Sequence, residues 1–323
     1  MARSETARAS AREQARRMQA EQERKHKMQS LMLRLGVVVV AVALVAGLAF
    51  FVLTRDRDGG SFTQGPAPAA ANEQGGFVLT SSTEIAEGDN LGEIDSENLP
   101  ATQGEDGLPP GVGPREEGEP PHVVIYTDAG CPGCAAFESA YHGMLSQWLD
   151  AGQITLEYRS VSFVRPPYSA RSANAFACMA EHGPEHYMSY LGAVTAERLN
   201  TTELSNDELA ARAQNYGVDI SDCLSDGEYR AFASYVNALA GEHGVGGTPT
   251  IFVNDEQVPG NEFIEQAAPM IEAAIAEYES EAGGAEEGAE GEAEGADAEG
   301  EDADAETPEG DDAEEEPAAE DSE

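Results

Sequence analysis

Cys131 and Cys134 stand two residues apart in the run Cys131-Pro132-Gly133-Cys134. Two thiols at that spacing can carry out thiol–disulfide exchange, in which one thiolate attacks a disulfide and the second thiol resolves the mixed disulfide. The flanking residues predict how they are held. His122 to Thr127 (HVVIYT) is a β-branched and aromatic run of strand length. After Asp128-Ala129-Gly130, the apolar residues Phe137, Tyr141, Met144, Leu145, Trp148 and Leu149 recur at helical spacing, and Gly152 supplies the stop. A strand-to-helix junction places Cys131 at the positive end of the helix dipole, beside unpaired amides that lower its pKa. Cys131 is therefore the expected nucleophile and Cys134, one turn inward, the sheltered resolving thiol. Pro132 suits the first helical turn, where no amide donor is needed.

Other residue types with chemical potential read less specifically. Asp128, three residues before Cys131, either accepts a proton from Cys134 through a water or caps the turn ahead of the helix. Glu157 and Arg159, on a second strand, are further charges that could tune the pair. A zinc site of four cysteines would normally show a second closely spaced pair, and Cys178 and Cys223 are far apart. His182-Gly183-Pro184-Glu185-His186 matches H-x-x-E-H, but that motif needs a continuous helix, which Gly-Pro breaks. No metal, cofactor or nucleotide fingerprint is expected.

Composition sets the surroundings of this chemistry. The 61 acidic and 18 basic residues give a net charge of −43, which argues against nucleic-acid binding. Residues 279–323 are mostly Glu, Asp, Ala and Gly and are expected to be disordered, since they cannot bury enough apolar surface. Such a tail either keeps the protein solvated or docks basic partners. Leu35 to Leu53 is an uncharged apolar run of 19 residues, long enough to span a membrane as one helix. Arg55, Asp56, Arg57 and Asp58 follow it directly, so an uncleaved anchor is expected rather than a cleaved signal. Nine Lys and Arg residues precede the span and only Arg55 and Arg57 directly follow it. That bias predicts a cytoplasmic basic segment at 1–34 and an extracytoplasmic remainder. All four cysteines fall on the outer side, where an even set is read first as disulfide chemistry.

Between a flexible acidic linker at 54–121, with a short edge strand near Gly76–Thr80, and the tail lies one core-forming region, 122–278. It reads as strand 122–127, helix, strand 154–163, a helical block over about 169–242, strand 250–253, strand 257–258, and an amphipathic helix 263–278. This order is an α/β thioredoxin-like fold with a helical insertion, preceded by a single transmembrane helix.

The runs VVIYTDAGCPGCAAFE, SARSANAFACMAEHGPEHYMSYL and DCLSDGEYRAFASYVNALAGEHGVGGTPTIFVNDEQVPG resemble bacterial DsbA-like proteins, over about His122 to Tyr278. An ordinary turn proline before a strand is the alternative reading of Thr248-Pro249. The resemblance implies a cis-proline at Pro249 facing the Cys131/Cys134 centre, with Thr248 and Pro249 presenting backbone to an extended substrate. It also implies that Cys178 and Cys223 form a structural disulfide; an electron relay to Cys131 is the alternative. The implied activity is formation of disulfides in unfolded, cysteine-containing secreted proteins, with a membrane partner that re-oxidises the pair. Two departures bear on direction. Gly133 stands where the strong oxidases carry His, so the Cys131 pKa is expected at roughly 4.5–6.5. Thr248, rather than Val, is also seen in reductases and isomerases of this fold. A reductase or isomerase, or a non-catalytic tethered binding module, are the rival readings.

Overall fold

The computed structural model describes residues 62–294, apart from 102, 103, 105, 106, 201 and 202. Four short strands come first: β1 (Gln64–Pro66), β2 (Phe77–Ser81), β3 (Glu84–Ile85) and β4 (Glu93–Asp95). Then follow β5 (His122–Thr127), α1 (Pro132–Asp150) and β6 (Thr155–Ser160). The helical block is α2 (Pro166–His182), α3 (Tyr187–Ala196), α4 (Asn206–Gln214), α5 (Ser221–Asp226) and α6 (Arg230–Glu242). The chain closes with β7 (Thr250–Val253), β8 (Glu256–Gln257) and α7 (Phe263–Glu294).

One six-stranded sheet, in the order β3-β2-β6-β5-β7-β8, carries the fold. β5 and β6 pair in parallel from His122↔Thr155 to Thr127↔Ser160, with α1 as the crossover between them. All residues of both strands after the first are buried, as expected where helices cover both faces of a sheet. β7 lies antiparallel on the other side of β5, with Tyr126 opposite Thr250. That register brings the start of β7, and so Thr248-Pro249, beside the turn that leaves β5 for α1. The Cys178–Cys223 disulfide ties α2 to α5, with a Cα–Cα distance of 6.1 Å.

Two stretches differ from the sequence reading. Where a flexible linker is expected, residues 62–96 fold onto the rest. β2 adds antiparallel to β6, and β3 turns back on β2 to form the edge, so the strand predicted near Gly76–Thr80 lies one place in from it. β1 and β4 pair as a ribbon against α6. The Phe77 ring packs 5.1 Å from that of Tyr187 and 5.9 Å from that of Phe232, and Leu79 and Ile94 are buried. A few apolar residues spaced through an acidic, Gly-rich stretch carry no local periodicity, and their partners lie far along the chain. The last helix also runs past Tyr278 to Glu294, because Ala and Glu are strong helix formers. The rest of the tail, the basic segment and the Leu35–Leu53 run lie outside the described residues. Among the described residues no helix is long and apolar enough to cross a membrane.

Candidate active site

Cys131 is the residue just before the first turn of α1, with extended backbone (φ −91°, ψ 120°). Pro132 opens the helix, and no acidic residue in its first turn neutralises the amide end. The Cys131 side chain therefore takes the place that a capping Ser or Asp would occupy. It is almost buried, at 6% exposure, while Cys134 one turn inward is at 1%. Both thiols are free.

The two thiols are driven apart in acidity. A hydrogen bond from Cys134 lowers the Cys131 pKa to about 6; burial opposes this, and the Thr248 hydroxyl and the Cys134 and Gly133 amides reinforce it. The Thr248 hydroxyl is buried, and no group stands in full hydrogen-bond geometry to it. Cys134 is pushed well above its ordinary value, first by burial and then by the hydrogen bond and charge of Cys131. Its sulfur accepts from the Asp128 N–H at 3.4 Å. At neutral pH the pair thus holds one thiolate and one thiol, the arrangement that exchange chemistry needs. Alkylation of reduced protein should rise with a midpoint near pH 6, where Cys131 ionises, and level off above it. Cys134→Ala, which removes the largest stabilising contact, should move that midpoint up toward the ordinary thiol value. A stopped-flow alkylation profile of each form checks both expectations.

The Thr248–Pro249 peptide is cis. The Cys131 thiol donates to the Thr248 carbonyl at 3.2 Å, so the residue before the proline is in direct contact with the reactive sulfur. At Gly133 a Cβ would stand 3.1 Å from Pro249 Cδ and 3.5 Å from Cys131 Sγ. Position 133 therefore lies between proline and sulfur, and glycine there adds no group to hold the thiolate.

Asp128 is fully engaged by backbone. One carboxylate oxygen accepts from Gly130 N–H at 2.7 Å, the other from Phe163 and Val164 N–H at 2.8 Å each. These bonds make it a cap that fixes the turn before α1 to the loop after β6. Glu157 and Arg159 form a buried pair of their own: Arg159 Nε and Nη2 donate to the Glu157 oxygens at 2.7 and 3.0 Å. Arg159 Nη1 also reaches Tyr126 Oη at 2.7 Å and the Pro110 carbonyl at 2.8 Å, and His122 lies 3.1 Å from Glu157. Burial would raise the Glu157 pKa, but Arg159 and His122 hold it at about 2. Neither residue is among the groups that shift either cysteine. His182 ends α2, and His186 lies beyond the Gly183-Pro184 break, so the two do not share a helix.

Two residues on the helices that carry and face the pair had no signal strong enough to single them out. Glu138 sits one turn beyond Cys134 with its side chain buried; one oxygen is 3.2 Å from His142 Nδ1 and the other has no partner. Its i+4 spacing from Cys134 was the available signal. Phe263, at the start of α7, stacks on Phe137 at 6.4 Å and stands 3.5 Å from where a Cβ of residue 133 would be. The Tyr141 hydroxyl donates to the Ile264 carbonyl and ties the same end of α7 to α1.

A family model described as thioredoxin matches residues 116–273. Among solved structures the chain is similar to the reduced disulfide-bond oxidoreductase DsbG of Mycobacterium tuberculosis, with 27% identity over 48% of this chain and 83% of that one, and a TM-score of 0.39. It is also similar to MdbA, a thiol-disulfide oxidoreductase of Actinomyces oris, with 18% identity over 67% and 98% and a TM-score of 0.49. For oxidised BdbD of Bacillus subtilis the figures are 20%, 54%, 95% and 0.43. No curated protein matches the chain. The strand order, the parallel β5–α1–β6 unit and the match at residues 116–273 are those of a thioredoxin-like fold, with the Cys131/Cys134 pair at the turn where it can carry out thiol–disulfide exchange.

Proposed function

We propose that this chain forms disulfides in unfolded, cysteine-containing proteins outside the cytoplasmic membrane, to which Leu35–Leu53 anchors it. The observation that carries the reading is the split between a Cys131 thiolate favoured down to about pH 6 and a Cys134 thiol pushed up beside it. In the oxidised chain a substrate thiolate attacks the Cys131 sulfur. The Cys131–Cys134 bond breaks, and Cys134, the weaker acid, takes up a proton. A second substrate thiolate then attacks the substrate's own sulfur in the mixed disulfide and releases Cys131 as a thiolate. The substrate loses two electrons and the pair gains them. A low-pKa sulfur is the better leaving group, so the final step is fast in this direction. A membrane redox partner then restores the disulfide.

Thr248 and Pro249 are the substrate-positioning residues in this reading. In the dithiol the Thr248 carbonyl accepts from Cys131. When no thiol proton is present, that carbonyl can accept from an extended substrate added as a short strand. The absence of a side chain at Gly133 favours the second reading, a reductase or isomerase working through the same two cysteines.

The location is tested on intact cells. A membrane-impermeant thiol reagent applied after mild reduction should label Cys131. Labelling only after lysis would overturn both the orientation and the disulfide-forming role.

A further inference from the structure

The Cys178–Cys223 bond lies among other metal-ligating groups. His182 follows Cys178 by four residues on α2, so both side chains leave the same helical face. Across the bond, α5 ends at Gly227 in the left-handed conformation (φ 64°), and the next residue's N–H bonds back to the Cys223 carbonyl at 3.1 Å. That turn sets Glu228 over Cys223. The nearest ligand atoms of His182, Cys223 and Glu228 all lie within 4.8 Å of one another, and Cys178 Sγ is bonded to Cys223 Sγ. While the disulfide is intact its sulfurs are neutral and poor ligands.

We propose that reduction of the Cys178–Cys223 disulfide opens a zinc site made of Cys178, Cys223, His182 and Glu228. A dithiol or a phosphine supplies the two electrons and is itself oxidised, to a disulfide or to a phosphine oxide. The S–S bond breaks to two thiols, and Zn²⁺ displaces their two protons. Two thiolates, one neutral imidazole and one carboxylate give the four-coordinate sulfur-and-nitrogen-rich shell that suits zinc. In a tetrahedral site with bonds of about 2.0–2.3 Å the donor atoms stand roughly 3.3–3.8 Å apart. On reduction the two sulfurs must part from 2.00 Å to about 3.8 Å, while His182, Cys223 and Glu228, which already lie within 4.8 Å of one another, draw in by about 1–1.5 Å; His182 and Glu228 are exposed and at helix ends, where such a shift is easiest. Gly-Pro prevents a metal motif between His182 and His186 but leaves His182 free to face the second cysteine pair.

The consequence is a redox-linked metal site. Zinc binds only the reduced form, so it favours reduction of a bond that otherwise staples α2 to α5. A thousandfold excess of free zinc over its Kd should shift the dithiol-to-disulfide ratio about a thousandfold, or about 90 mV at 29.6 mV per decade.

The test uses the full-length chain carrying C131S and C134S, so that the first pair cannot bind metal. After reduction with a phosphine it should bind one zinc per chain in competition with a chromophoric chelator. Cobalt in its place should show a thiolate charge-transfer band and the intense visible bands of a tetrahedral ion. His182→Ala should weaken binding at least about tenfold, and the oxidised chain should bind none. If reduction unfolds the chain, zinc should restore its helical circular dichroism in the parent and not in H182A. Absence of binding, equal affinity in H182A, or no rescue where the reduced chain is unfolded would overturn the proposal. Each of these outcomes leaves the reading of Cys131 and Cys134 untouched.

Discussion

Cys131→Ser is expected to abolish disulfide exchange with a model peptide while leaving the melting temperature of the protein little changed. Exchange needs a sulfur that can both attack and leave, and a serine hydroxyl does neither at neutral pH. The substitution replaces a free thiol that donates one hydrogen bond, to the Thr248 carbonyl, and a hydroxyl can still donate it. The other pair should behave in the opposite way. Replacing Cys178 and Cys223 together by Ala removes a crosslink closing 45 residues, worth roughly 3–4 kcal/mol in the chain-entropy account, and should spare exchange activity. Denaturant unfolding and a peptide-oxidation assay on both variants give the contrast. Loss of activity without loss of stability in the second variant, with the reverse in the first, would place the redox centre at the wrong pair.

Arg159→Met should cost about 3–5 kcal/mol, because it strands a buried carboxylate. Glu157 and Arg159 are 1% exposed each, and the arginine also holds the Pro110 carbonyl and the Tyr126 hydroxyl. The pH dependence should change sign with it. In the wild type the Glu157 pKa is depressed to about 2, so the stability it contributes is present above its ordinary value of 4.5 and is lost as pH falls toward 2. In the variant, burial without Arg159 raises that pKa above the unfolded value. Glu157 then destabilises the fold as pH rises above the ordinary carboxylate range, and acidification to about pH 5 relieves part of the loss. Replacing Glu157 by an apolar residue in the same chain should recover much of the stability, since no unpaired charge remains. Urea midpoints at pH 5 and pH 8 for the three proteins check this. A single substitution as mild as a surface one would contradict the buried pair.

The chemistry was legible because its determinants are local. A β-branched run, a turn, C-P-G-C and a helical apolar stripe fall within thirty residues and fix one another. The Thr248-Pro249 pairing needed more: only the resemblance brought it to the cysteines, and only the antiparallel register of β7 on β5 shows how. The charges at Glu157 and Arg159 were visible as unusual on a strand, but their partners Tyr126, His122 and Pro110 come from three other places in the chain. Their side chains are taken up by one another and by these three groups. Glu138 was hidden for a different reason: a glutamate in a helix ordinarily faces water, and nothing in A-A-F-E marks this one as buried. Of the added strands before His122 only the one near Gly76–Thr80 was expected; the others were hidden by composition, since an acidic, Gly-rich stretch reads as linker until a sheet edge is there to receive it.

The reduction potential of the Cys131/Cys134 couple, measured by equilibration in glutathione buffers, tests the central claim most directly. A Cys131 thiolate stabilised to about pH 6 favours the reduced form, but less than a side chain at Gly133 would. The potential should therefore lie between those of DsbA and thioredoxin, about −120 to −270 mV, and nearer the oxidising end. A value at or below thioredoxin's, about −270 mV, would contradict the disulfide-forming role and make this chain a reductase.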